Sequence, residues 1–157
     1  MLSIKELDDV ALCDVLSLSV HESQIPYVDT TENLINKKVK GSHFHVLVLD
    51  GEVVGLFIVE TDCDKNYEFL HRTDLHLAIL IIDKRFQGQG LGKKSCLLMH
   101  PYLRDNFPNH DSIVLTVNCN NTVAYKCYES SGFIDTLQYY HGGPAGPQHI
   151  MRFCLSR

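Results

Sequence analysis

Residues 82–93 read Ile-Asp-Lys-Arg-Phe-Gln-Gly-Gln-Gly-Leu-Gly-Lys and directly follow the apolar run Leu75–Ile82. This order predicts a strand, a short glycine loop and the start of a helix. Glycines at positions 88, 90 and 92 remove side chains where the loop meets the helix. Backbone N–H groups exposed there, with the positive end of the helix dipole, form an anion site for which pyrophosphate is the natural ligand.

The glycine spacing excludes two well-known phosphate loops. A Walker A loop requires G-x-x-x-x-G-K-[ST], but Lys94 follows Gly92 and Lys93. A dinucleotide-binding loop requires G-x-G-x-x-G; Gly88 and Gly90 fit this pattern, but position 93 is Lys. For the loop taken alone, a glycine-rich turn without a ligand is the alternative.

A second segment, residues 121–133, reads Asn-Thr-Val-Ala-Tyr-Lys-Cys-Tyr-Glu-Ser-Ser-Gly-Phe. The Q-x-x-G-x-G element at 87–92 and this N-x-x-A-x-x-x-Y-x-x-x-G-F element together resemble the signature of the GNAT superfamily of N-acetyltransferases. The resemblance covers about residues 73–140, the acetyl-coenzyme A half of such a domain. It implies an acetyl-CoA-dependent N-acetyltransferase without a metal cofactor.

The pattern along the chain predicts an α/β (α+β) fold in the order β-α-α-β-β-β-α-β-α-β-β. Strands are predicted at Met1–Glu6, His43–Leu49, Val53–Glu60, Asp74–Ile82, Ser112–Asn118, Phe133–Tyr140 and Gln148–Leu155. Helices are predicted from Asp8 or Asp9 to Leu18, from Asp29 to Gly41, from Gly90 to His100, where Pro101 should end or kink the helix, and from Thr122 to Ser131.

These elements fit one domain, residues 1–157, with the acyl-CoA N-acyltransferase fold. Its mixed, mostly antiparallel sheet would have about seven strands and helices on both faces. The run Asp74–Ile82 has almost no polar interruption, so we expect it to be buried on both faces.

The overall charge is acidic. The 14 Lys and Arg residues against 19 Asp and Glu residues give a net charge of −5. This argues against a nucleic-acid surface and mildly favours a cationic small substrate. Apolar runs are too short to span a bilayer and no signal peptide opens the chain, so the cytoplasm is the expected location. A homodimer is expected only by analogy with the superfamily.

Cysteine and histidine usage gives little support for a metal. The six cysteines form no C-x-x-C pair, so a zinc knuckle is not predicted. His43 and His45 alternate on a strand and could bind a metal, but pairing within a half-exposed strand is the favoured interpretation.

The resemblance places acetyl-CoA between the strand before the glycine loop and the strand after the next helix, which splay apart in this fold. It implies that the backbone of Leu80, Ile81 and Ile82 contacts the pantetheine and acetyl groups. Gln87 occupies the Arg or Gln position of the signature, and Asn121 would bond to the pantetheine arm while also suiting a helix N-cap. The pyrophosphate would be held by the N–H groups of Gly88, Gln89, Gly90, Leu91, Gly92 and Lys93.

The resemblance implies that Tyr128 is the general acid that protonates the departing thiolate, with a buried aromatic as its alternative. The general base that would deprotonate the amine is less clearly indicated. Several polyamine acetyltransferases carry Glu where this chain has Ala78. His76, two residues earlier on the same strand face, is a candidate, and a histidine bonded within the sheet fits equally well. Asp74 and Glu68 are weaker candidates.

The acceptor is expected between the N-terminal helices and the C-terminal hairpin. Tyr139, Tyr140 and the loop His141–Pro147 would form one wall and Tyr27 the other, with aromatic rings suited to a cationic amine. The predicted reaction moves the acetyl group to a primary amine of a small molecule by direct attack in a ternary complex. The acidity of the chain and the aromatic residues favour a polyamine-like molecule. A peptide or protein amine, or a non-catalytic acyl-CoA-binding sensor, is the alternative.

Overall fold

The computed structural model describes residues 1–21, 24, 29–37 and 40–156. Its strands are β1 (Leu2–Glu6), β2 (Ser42–Leu49), β3 (Glu52–Glu60), β4 (Asp74–Ile82), β5 (Ser112–Asn118), β6 (Ile134–Tyr140) and β7 (Gln148–Cys154). They form one sheet in the order β1-β2-β3-β4-β5-β7-β6. Of the described strand pairs, only β4 and β5 are parallel, so the predicted mixed, mostly antiparallel sheet is confirmed.

The described helices are α1 (Leu12–Leu16), α2 (Thr31–Asn36), α3 (Leu91–Asn106) and α4 (Thr122–Ser130). The first predicted helix is too long: a 3₁₀ turn over Leu7–Asp9 precedes the short α1. Thr30, rather than Asp29, caps α2, because its hydroxyl accepts a hydrogen bond from the Asn33 N–H (3.2 Å). Among the residues that the structure describes, no helix is long and apolar enough to cross a membrane.

Pro101 does not end α3, which continues to Asn106. A proline inside a helix leaves the carbonyl four residues earlier without its donor. That carbonyl belongs to Leu97, which is 50% exposed, so water can satisfy it. Met99 and Leu103, on either side of the proline, are fully buried against the sheet. Their packing holds the helix together through the proline.

The sheet buries a separate apolar cluster on each face. Helices α3 and α4 cover the face that includes Leu47, while α1 and α2 cover the face that includes Val46 and Val48. Alternate residues of β2 therefore supply the two clusters, as strand geometry requires. Helices lie on both faces, as predicted.

The sheet opens between its two parallel strands. Strands β4 and β5 pair only from Asp74 with Ser112 to His76 with Val114. Beyond His76 lies a β-bulge in which Ala78 is the extra residue opposite β3. Ala78 is exposed, so the expectation that β4 is buried on both faces along its length is wrong. The carboxyl half of β4 borders a gap instead.

Candidate active site

A cleft of about 690 Å³ lies where β4 and β5 separate, a volume typical of cofactor sites. Strand β4 lines it from Leu77 to Ile82, and β5 lines it from Leu115 to Asn118. The glycine loop, α4 and residues Pro144 and Ala145 of the β6–β7 loop also line it. Two regions far apart in the chain, both singled out by the sequence motifs, thus meet at one cleft.

The glycine loop presents backbone donors to this cleft. Gly90 is the N-cap of α3 in the left-handed conformation (φ 76°), which side chains rarely adopt. The first hydrogen bond of the helix runs from Lys94 N to Gly90 O (3.1 Å). The N–H groups of Leu91, Gly92 and Lys93 therefore precede the helical ladder and are available to an anion. No acidic residue lies in this first turn, so nothing opposes a bound phosphate.

The physical reason for a glycine at position 92 differs from the reason at position 90. Its backbone needs no left-handed conformation, but an added Cβ would lie 3.0 Å from Cys127 Sγ on α4. A side chain there would push α3 and α4 apart at the cleft wall. Cys127 also lines the cleft, a placement that the motif analysis did not identify.

Asp83 fixes the strand-to-loop junction. Its side chain is 1% exposed and accepts hydrogen bonds from Arg85 N (2.9 Å), Arg85 Nε (2.8 Å) and Ser19 N (3.0 Å). Burial opposes ionisation of this carboxyl, but these bonds lower its pKa overall. Asp83 lies outside the glycine-loop motif and was not predicted from the sequence. An Asp immediately before a short turn is the capping signal that points to it.

Gln87 also holds the loop in place. Its side-chain amide donates to Ile82 O (2.8 Å) and to Gln24 Oε1 (2.9 Å). Gln87 lines the cleft, yet both of these bonds are to protein groups. Gln89 is exposed and is not part of the lining. The other loop positions that the sequence predicted as cofactor contacts border the cleft: Gly88, Gly90, Leu91, Gly92 and Lys93.

Two asparagines shape the opposite end. Asn121 lines the cleft and caps α4, with Oδ1 accepting from Ala124 N at 3.4 Å. Asn118, which the motif analysis missed, is 5% exposed at the end of β5. Its Nδ2 donates to Ala145 O (2.7 Å), and its Oδ1 accepts from Asn120 N (2.8 Å). Asn118 therefore holds the β6–β7 loop against the cleft.

Tyr128 lies in the cleft wall on α4. Its ring packs edge-on against Phe133, with centroids 5.6 Å apart. Burial raises the pKa of its hydroxyl, and the neighbouring thiols of Cys96 and Cys127 raise it further. The hydroxyl therefore keeps its proton at neutral pH, the form that a proton donor requires.

His76, the candidate base, does not line the cleft. Its side chain is 8% exposed, and its Nδ1 lies 2.8 Å from Glu60 Oε1. The hydrogen bond from His76 lowers the pKa of Glu60 against the opposing effect of burial. This placement favours a histidine bonded within the sheet. Asp74 is likewise paired, with Arg152 at 2.6 Å, and Glu68 is exposed on the β3–β4 loop.

The predicted acceptor wall divides between the two sheet faces. Tyr139 packs near His149, with ring centroids 5.3 Å apart. Tyr140, pointing the other way, contacts Phe69 at 5.4 Å and Tyr67 at 5.9 Å. Alternation along β6 separates the neighbouring tyrosines, so they do not share one wall. Tyr27 lies outside the described residues.

The local charge of the cleft is opposite to that of the chain. The described lining residues include two lysines, Lys93 and Lys126, and no aspartate or glutamate. The chain as a whole carries a net charge of −5. A cationic cleft on an acidic protein suits a polyanionic ligand such as coenzyme A.

Comparison with known proteins identifies the class. The model of the acetyltransferase (GNAT) domain matches residues 18–141, and the chain belongs to this family. It is 28% identical over 140 residues to the spermine/spermidine N(1)-acetyltransferase of Bacillus subtilis, covering 84% of this chain and 87% of that protein. It is 31% identical over 96 residues to human N-acetylaspartate synthetase, covering 61% of this chain and 29% of that protein.

Solved structures share the fold. Aminoglycoside acetyltransferase AAC(6')-Ib, in complex with coenzyme A and kanamycin, superposes with a TM-score of 0.76 at 17% identity, covering 98% of this chain and 95% of that chain. The ribosomal-protein-S18-alanine N-acetyltransferase of Escherichia coli gives a TM-score of 0.70 at 18% identity, covering 100% and 96%. The predicted family, fold class and acetyl-CoA-dependent N-acetyltransferase activity are confirmed.

Proposed function

We propose that this enzyme transfers the acetyl group of acetyl-CoA to a primary amine of a small, polyamine-like molecule. The observation that carries the proposal is the cleft between β4 and β5, which has the first turn of α3 at one end and Tyr128 in its wall. The pyrophosphate would bind the N–H groups of that turn. Among the described strands, none pairs with the β5-facing backbone groups of β4 beyond His76, and the pantetheine amides would pair with these groups along Leu80–Ile82.

The chemistry requires three proton movements. An alkylammonium ion has a pKa of about 10.4, so it must first lose a proton to become the neutral amine that attacks the thioester carbonyl. The nitrogen of the tetrahedral intermediate then loses a second proton to water or to a base, and the C–S bond breaks. The departing thiolate, whose conjugate acid has a pKa of about 8.5, takes a proton from the Tyr128 hydroxyl. The tyrosine then recovers a proton from solvent, which balances the cycle.

The acceptor would approach from the face opposite α3 and α4. Tyr67, Phe69 and Tyr140 cluster there beside Val114, the last β5 residue that pairs with β4. Aromatic faces attract alkylammonium groups, and an acidic protein concentrates polycations near its surface. The similarity to a spermine/spermidine acetyltransferase supports the same class of acceptor.

The test is a thiol-release assay with acetyl-CoA across a panel of amines. The panel contains spermidine, spermine, kanamycin, aspartate and a peptide with an N-terminal alanine, so that each class of relative is represented. We expect the polyamines to give the highest kcat/KM, by at least about 10-fold, a difference of about 1.4 kcal/mol in transition-state stabilisation. A preference for the peptide would instead establish the protein-acetylating alternative.

A substitution at His76 tests whether it is the base. We expect His76→Gln to leave the shape of the pH profile of kcat/KM unchanged, because the ring lies outside the cleft and bonds to Glu60. A base at this position would show a selective loss near neutral pH that recovers at high pH, where free amine accumulates. His149→Gln is the matched control, since His149 also faces a carboxylate, Asp135, at 3.4 Å.

The same variant should lose stability, by about 1–2 kcal/mol, because a hydrogen bond to a charged group is weakened. The pKa of Glu60 is lowered in the folded protein, so its stabilising contribution is present above the unfolded glutamate pKa of about 4.3 and is lost as pH falls through the folded value. The Tm of His76→Gln should therefore be lower than that of the wild type at pH 7, and the two Tm values should converge in acid.

We further propose a cytoplasmic location. All six cysteines are unpaired, as expected in a reducing compartment. The homodimer stays a prediction from the superfamily alone.

A further inference from the structure

Three side chains of types that can bind a metal meet outside the cleft. Ligand atoms of Glu60, Cys63 and His76 all lie within 4.8 Å of one another. Cys63 and His76 are 8% and 7% exposed. The cluster is on the sheet face opposite α3 and α4, and the acetyl-transfer cleft uses none of the three residues.

The fold fixes the positions of these ligands. Glu60 and His76 are register partners on β3 and β4, in the central part of the sheet. Asp62, in the left-handed conformation (φ 59°), then turns the chain. This turn places Cys63 in a small apolar cluster with Val114 and Ile150. Two ligands therefore lie on adjacent strands and the third on the adjoining turn.

The donor set selects for a particular kind of ion. One thiol, one imidazole and one carboxylate match the sulfur, nitrogen and oxygen ligands of Zn²⁺, whereas Mg²⁺ and Ca²⁺ prefer oxygen alone. Ligands of a tetrahedral zinc ion lie roughly 3.5 Å apart, from metal–ligand distances of about 2.0–2.3 Å. Donors within 4.8 Å need adjust by little more than 1 Å, which the turn carrying Cys63 can provide.

The surroundings suit an ion at this place. His76 Nδ1 and Glu60 Oε1 already share a hydrogen bond of 2.8 Å, and a cation can replace the proton between them. The rings of Tyr67 and Phe69 pack against His76, at centroid distances of 5.0 and 6.2 Å. An apolar shell of this kind restricts water and strengthens ligation.

We propose that Glu60, Cys63 and His76 form a binding site for Zn²⁺, with three protein ligands and a fourth position open to water. Binding breaks the S–H bond of Cys63 and releases that proton to solvent, while the proton that His76 Nδ1 shares with Glu60 moves to Nε2, so that His76 binds as a neutral imidazole. The bound ion would hold the β3–β4 loop, residues 61–73, to the sheet. Its three ligands do not line the cleft, and acetyl transfer needs no metal, but the site adjoins the proposed acceptor face because Tyr67 and Phe69 pack against His76.

Co²⁺ is the probe, because a thiolate ligand gives it a charge-transfer absorption and a tetrahedral site gives it intense visible bands. We expect the folded wild-type protein, freshly reduced, to bind one equivalent with both signals, and Zn²⁺ to displace it. Cys63→Ser should abolish the thiolate band and weaken binding more than about 100-fold, since even outer-shell partners of a metal contribute 10–100-fold. Cys154→Ser, which removes an exposed thiol on β7, should leave both signals intact.

A second measurement distinguishes loss of the metal site from misfolding of a variant. At 100-fold excess over Kd, Zn²⁺ should raise the Tm of the wild type by roughly 5–10 °C, and Mg²⁺ should not. His76→Gln should lose this shift while still melting cooperatively. A thiolate band that persists in Cys63→Ser, an equal shift in His76→Gln, or no cobalt binding by the wild type would each overturn the proposal.

Discussion

Tyr128→Phe should lower kcat by roughly 10²-fold, at the low end for loss of a general acid. The affinity for acetyl-CoA should hardly change, because the thioester in the ground state does not need that proton. Loss of kcat without loss of binding is the pattern of an interaction made only in the transition state. Steady-state kinetics with the best amine of the panel, together with titration calorimetry of acetyl-CoA, measures both quantities.

The fold should tolerate this change. The Tyr128 hydroxyl has no hydrogen-bond partner among the described residues, so Phe keeps the packing against Phe133 and removes no native bond. Tyr102→Phe is the matched control: Tyr102 is a partly buried tyrosine on α3, 5.2 Å from the His45 ring and outside the cleft. If both variants retain wild-type kcat with chemistry rate-limiting, Tyr128 is a packing residue and another group protonates the thiolate.

The parts of the fold that the sequence predicts well have a local physical cause. Asp50 and Gly51, between β2 and β3, both adopt positive φ, 50° and 86°, and Asp-Gly is the dipeptide that favours such a tight hairpin turn. The junction of β4, glycine loop and α3 was likewise predictable because glycine is the residue that takes the Gly90 conformation without strain. Backbone geometry of this kind is determined within a few residues, so a single sequence shows it.

Features that depend on partners distant in sequence were not predictable. Pro101 marks a local helix end, but burial of Met99 and Leu103 outweighs it. Nothing near His76 in the sequence shows that Glu60 will be its partner, because the register of β3 and β4 decides that contact. The placement of Tyr139 and Tyr140 on opposite sheet faces was predictable, since neighbouring residues on a strand face opposite ways.

Gly90→Ala should weaken acetyl-CoA binding by about 10–100-fold. A methyl group at this position would project from the cleft lining where the phosphate approaches the backbone, and would displace the phosphate from an N–H donor. Loss of one charge-assisted hydrogen bond costs about 1.5–3 kcal/mol. The substitution also strains the backbone, because φ is 76°. Gly51→Ala is the matched control: its φ is 86°, and at both glycines an added Cβ meets nothing within 4 Å.

Both alanine variants should lose similar stability, about 1–2 kcal/mol for an L-residue in the left-handed region, so a difference in affinity cannot come from the fold alone. Calorimetry at a temperature where both are fully folded gives the two Kd values. In parallel, acetyl-CoA should raise the Tm of the wild type and of Gly51→Ala far more than that of Gly90→Ala, whereas ATP and NAD should raise none of them, because ligands stabilise only the native sites that bind them. Equal affinities in the two variants, or an ATP shift as large as that of acetyl-CoA, would show that the first turn of α3 does not hold the pyrophosphate of coenzyme A.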